Sequence, residues 1–187
     1  MLLRLPWIIQ LLLAVMVLTA GYFDLRYRRI PNWLTLPGVL VGLALNAFLS
    51  LHLGRSTLLR NAALGLAVAM LVYFPLYLLR GMGAGDVKLM AAIGSLVGWR
   101  DWLAIFIFSG IIGGVLAVVL MLAKGRMRKT LYNTGYIVWE MAHLRAPHLR
   151  SEELDVSNPG AFTLPHGAVI ALGALALLGL HALLPSQ

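Results

Sequence analysis

The chain reads as an all-α integral membrane protein, a polytopic bundle of about six transmembrane helices, and three observations predict it. Hydrophobic residues make up 60% of the 187, and charged residues only 12%, against about 25% charged in an ordinary soluble domain. The apolar residues are grouped into long blocks, five of which are long enough to cross a hydrocarbon layer of about 30 Å, a distance that takes roughly 20 residues of helix. The charges gather in the intervals between blocks.

The blocks run Leu5–Phe23, Leu34–Leu53, Ala62–Leu79, Val87–Val97, Trp102–Ala123 and Leu164–Leu184. The first has Arg4 before it and Arg26, Arg28 and Arg29 after it, with no small-x-small cleavage site. It is therefore read as a span and not as a secretory signal. After it, Pro31 disfavours helix at Ile30, and Pro31-Asn32 make a turn into the second block. The fourth block is short for a span and follows a glycine-rich loop, Gly81-Met82-Gly83-Ala84-Gly85. Residues 124–163 form the longest connection, read as a cytoplasmic loop. Tyr132, Tyr136, Trp139 and His143 recur there at helical spacing, which suits either an interfacial helix or a plain topology-setting loop. There is no repeat and no second domain, so residues 1–187 are taken as one membrane-embedded domain.

The formal charge of +8 belongs to topology here and not to nucleic acid. If all six blocks cross and the N-terminus lies outside, eleven Lys and Arg fall on the inner side and four on the outer, out of 15. That is the bias expected of cytoplasmic loops, and it requires the short fourth block to cross. Cysteine is absent, which excludes disulfides, thiolate catalysis and cysteine-based zinc sites. The five histidines lack paired ligand spacing, so no metal site and no cofactor is expected.

Two acids carry the chemical argument. Asp24 closes the first block and Asp86 opens the fourth, while Asp101, Glu140, Glu152, Glu153 and Asp155 are assigned to polar loops. Parity puts Asp24 and Asp86 on one face: the second block leaves that face, the third returns to it, and the fourth starts there. Two carboxyls brought together at a membrane boundary share a proton more readily than they ionise together. Such a pair suits peptide hydrolysis, one member activating water and the other polarising the carbonyl. Each acid also has a plainer reading. Asp24 can pair with Arg26 or Arg28, and Asp86 can cap a helix beginning at Val87. Lys88 either steadies the acid pair or reaches the headgroups. Alternate glycines, Gly83 and Gly85 among them, break the helix and let another backbone approach Asp86.

These residues resemble motifs of the type IV prepilin peptidases. Asp24, five residues, then Ile30-Pro31-Asn32 is similar to that family's first-aspartate motif, and Gly83-Ala84-Gly85-Asp86-Val87-Lys88 to its Gly-x-Gly-Asp-x-Lys motif. Leu164-Pro165-His166-Gly167 resembles a Pro-Tyr-Gly segment of the short members, with His166 in the place of tyrosine. The resemblance implies an aspartic endopeptidase with Asp24 and Asp86 as the catalytic pair, and Gly83, Gly85, Lys88, Pro31 and Asn32 in support. It implies removal of basic leaders from prepilin or pseudopilin substrates at the cytoplasmic face of the inner membrane. The size resembles Flp/Tad-type members without the methyltransferase region. The partners expected are the substrate and the bilayer, with no nucleic acid and an oligomeric state left open. Two competing readings are a small proton-coupled transporter and a non-catalytic subunit of a pilus or secretion assembly.

Overall fold

The computed structural model describes residues 6–79, 82–123 and 165–183. Every regular element among them is helical: α1 (Trp7–Tyr27), α2 (Asn32–His52), α3 (Thr57–Leu78), α4 (Ala84–Ala123) and α5 (His166–Leu183). All five are long and apolar enough to cross a membrane. Large apolar side chains such as Leu11, Leu18, Leu40, Leu71 and Val118 are more than half exposed on the outside of the bundle. In water this would be an adhesive surface; against acyl chains it is the ordinary exterior. The interfacial-helix expectation for residues 124–163 falls outside the described residues.

The fourth and fifth apolar blocks form one helical stretch broken at Gly98, whose φ of 80° and ψ of 172° lie outside the helical region. That conformation is open essentially to glycine alone. The break is a reversal. Twelve residues of straight helix would separate Met90 from Trp102 by about 18 Å, yet the Trp102 indole N–H donates to the Met90 carbonyl at 3.1 Å. The arm before Gly98 therefore lies back against the arm after it. The six expected segments are present, two of them as arms of α4.

The first arm is the centre of the molecule. From Leu89 to Gly98 every residue is buried; α1, α2, α3 and the second arm pack around it, and α5 packs against α1 and the second arm. Its 14 helical residues before Gly98 span about 21 Å, short of a hydrocarbon layer of about 30 Å. An early end is tolerated inside a membrane only where protein satisfies the backbone. Here the Asn46 side-chain amide, 4% exposed, donates to the carbonyls of Ser95 at 3.1 Å and Leu96 at 3.0 Å.

Small residues set the helix contacts, as expected where apolar faces give no preference between lipid and protein. Gly65 of α3 lies directly against Gly94 and Gly98, Gly42 of α2 against Ser95, Gly173 of α5 against Ser109, and Gly21 of α1 against Ala171. A Cβ on Gly65 would collide with the Gly94 carbonyl.

Three sequence expectations are corrected. Helix α1 runs one turn past Asp24 and stops at Arg28, which takes the left-handed conformation (φ 54°) and donates its N–H to the Asp24 carbonyl at 2.9 Å. Asp86 is not a helix cap: α4 begins at Ala84, so Asp86 stands in its first turn, its N–H donating to the Gly83 carbonyl at 3.2 Å. The glycines of this loop permit helix as well as they permit a turn. Asp101 is not in a polar loop but inside α4, 7% exposed, with its carboxylate 3.9 Å from the buried His181 ring at the end of α5.

Candidate active site

The end of α1, the start of α2, the first turn of α4 and the first turn of α5 meet at one end of the bundle. Asp24 arrives from α1 and is 7% exposed. Helix α5 points its N-terminus at it, and the Ala168 N–H donates to Asp24 Oδ2 at 3.2 Å. This N–H is one of the first four of a helix, which have no partner within the helix. A backbone donor at a helix N-terminus favours a negative charge there. Asp86 arrives from α4, half-buried, and accepts a hydrogen bond from the Gly83 backbone N–H. The two carboxyls, 62 residues apart in sequence, lie near enough for the charge of Asp24 to act on Asp86.

The supporting residues named from sequence divide into those that reach the acids and those that hold the segments. Gly83 abuts the Asp86 carboxylate: a Cβ there would stand 3.4 Å from Oδ2. Lys88 donates to Asn32 Oδ1 at 2.9 Å, joining the first turn of α4 to the start of α2. Pro31 is extended (φ −72°, ψ 141°) and immediately precedes α2. Gly85 carries no side chain because Ile30 occupies the space: a Cβ would lie 3.1 Å from Ile30 Cβ. Gly81 is outside the described residues.

Sequence reasoning missed Tyr73 and Gly167. Tyr73, 5% exposed in α3, lies within range of the Asp86 charge and packs edge-on against Trp102 and Phe106. Nothing local distinguishes it from other aromatic residues of an apolar span. Gly167 lies against Asp24, a Cβ there standing 3.0 Å from Asp24 Cβ. The Pro165-His166-Gly167 segment was the available signal. His166 is also close enough to feel the Asp24 charge.

The model of the type IV leader peptidase family matches residues 11–118, a span that contains both Asp24 and Asp86. The chain belongs to the type IV leader peptidase family. Among curated relatives in this family it is 30% identical over 126 residues to a prepilin leader peptidase/N-methyltransferase of Myxococcus xanthus, covering 66% of this chain and 38% of that protein. To proteins of the same name it is 33% identical over 123 residues in Xanthomonas campestris pv. campestris, covering 64% and 42%, and 31% identical over 140 residues in Escherichia coli, covering 66% and 60%. The match thus spans less than two thirds of each of these leader peptidases. No solved structure matches the chain. Family membership and five apolar helices of spanning length make it a multi-pass membrane protein.

Proposed function

We propose that this leader peptidase family member is an intramembrane aspartic endopeptidase that removes the basic leader from prepilin-like substrates at the cytoplasmic face of the inner membrane. One observation carries the reading: Asp24 and the turn that carries Asp86 close on one small space at one end of the bundle, Ile30 lying against Gly85 and Gly167, and Gly167 against Asp24. The names of the relatives supply the substrate class. The excess of Lys and Arg on that side of the blocks supports the cytoplasmic orientation.

With one proton shared between Asp24 and Asp86, the ionised carboxylate takes a proton from a water as its oxygen adds to the scissile carbonyl carbon. The protonated carboxyl hydrogen-bonds the carbonyl oxygen and donates to it. Collapse of the resulting diol returns a proton to the departing amine and restores the pair. The substrate's apolar segment would lie in the bilayer, with the scissile bond at the polar edge.

The deciding experiment is co-expression with a prepilin, following loss of its leader. The wild-type chain is expected to cleave, and to continue in EDTA. Asp24→Asn and Asp86→Asn are expected to insert normally and to lose at least about 100-fold in rate, the scale of general acid–base catalysis. Cleavage undiminished in both variants rules out the aspartyl mechanism.

A further inference from the structure

We propose that the Ile30 side chain is the spacer that sets the separation of Asp24 and Asp86. This positioning role rests on the peptidase reading. Ile30 lies in the extended link between α1 and α2, immediately before Pro31. Its two ends touch the first turn of α4, which carries Asp86, and the first turn of α5, whose Ala168 N–H binds the Asp24 carboxylate. At the near end, a Cβ on Gly85 would stand 3.1 Å from Ile30 Cβ, and Gly85 directly precedes Asp86. At the far end, a Cβ on Gly167 would stand 2.8 Å from Ile30 Cδ1, and also 3.0 Å from Asp24 Cβ.

Neither glycine is needed for backbone conformation. Among the described residues the positive-φ glycines are Gly54 and Gly98. What Gly85 provides is room for Ile30, and Gly167 provides room for Ile30 and Asp24 together. A β-branched side chain is stiff at χ1, and the following proline restricts the Ile30 backbone. Isoleucine is thus a rigid insert between the first turns of α4 and α5, where leucine or methionine would yield. Removing its Cδ1 frees space on the Gly167 side alone; its Cβ, which faces Gly85, remains in valine.

That asymmetry makes the test specific. Gly167→Ala should lower kcat by about 10- to 100-fold, the cost of misplacing catalytic groups by a fraction of an ångström to an ångström, with KM little changed. Adding Ile30→Val should recover the part of that loss caused by Cδ1, about half or less, because the new Cβ still meets Asp24 Cβ at 3.0 Å and Oδ2 at 3.1 Å. The same Ile30→Val should not rescue Gly85→Ala. Independent, multiplicative effects of Gly167→Ala and Ile30→Val, or equal rescue at both glycines, would overturn the spacer.

A second measurement does not depend on activity. Because the chain has no cysteine, an Asp24→Cys, Asp86→Cys protein offers one thiol pair for bifunctional reagents of graded length. Gly167→Ala should shift coupling to longer reagents, and Ile30→Val on that background should shift it back. Reagent profiles that ignore residue 30 defeat the inference even if cleavage is intact. A chain that cleaves no leader, yet shows these shifts, would keep the spacer and lose the peptidase.

Discussion

A hydrogen bond of 2.9 Å from the Lys88 ammonium to the Asn32 side-chain oxygen ties together two residues from the two acid-bearing motifs. From sequence, Lys88 was divided between supporting the acids and reaching headgroups; the bond gives it a third task, holding α2 to α4. Lys88→Met and Asn32→Leu should each cost about 1 kcal/mol, the usual net value of a hydrogen bond, and the double variant should cost no more than either alone. Thermal unfolding in detergent micelles checks this. Tyr73 presents a different balance, since its ring packs with Trp102 and Phe106 while its hydroxyl-bearing ring is within range of Asp86. Tyr73→Phe should leave the melting temperature nearly unchanged and lower kcat several-fold, whereas Tyr73→Ala should also cost about 3–5 kcal/mol in stability. Equal kinetic loss in both with equal destabilisation would show that packing alone is at stake.

The most consequential element is α4, because its first arm both carries Asp86 and ends inside the bundle. The reversal at Gly98 depends on a conformation that costs other residues of order 1–3 kcal/mol. A Cβ there would also approach Asn61 Cβ to 3.2 Å. Gly98→Ala should therefore destabilise by at least that amount. Asn46→Leu, which leaves the Ser95 and Leu96 carbonyls without their side-chain donor, should cost about 1–3 kcal/mol. Both are read by unfolding, and an unchanged midpoint for Asn46→Leu would mean that another donor replaces the amide. The sequence marked the break, through the polar interval Gly98-Trp99-Arg100-Asp101. It mistook that interval for an exposed loop, because one tight glycine turn leaves Asp101 inside helix and within 3.9 Å of His181. Likewise the apolar blocks located α1 and α4 but not their ends, since Asp24 and Asp86 interrupt hydropathy without interrupting helix.

At the scale of the whole molecule, one end of the bundle gathers the two acids while the α2–α3 connection lies at the other. The proposed orientation makes Ser56, exposed in that connection, accessible from outside, and Ser151 accessible from the cytoplasm. Single cysteines at these positions should react with an impermeant maleimide on opposite sides; labelling of both from the same side would refute the topology. Length, hydropathy and the order of polar intervals were enough to determine the membrane class, the six apolar segments and, by parity alone, a common face for Asp24 and Asp86. Each of these follows from the thickness of the bilayer and the direction of successive crossings, which are properties of a linear chain. Only the tertiary structure decided which groups converge there: Ala168 on Asp24, Lys88 on Asn32, Ile30 between Gly85 and Gly167. The reason is that lipid and protein interior are equally apolar, so hydropathy carries no mark of which face of a spanning helix turns inward. That choice is made by the close approach of small residues such as Gly65 and Gly94, and by a few buried polar groups that must find partners.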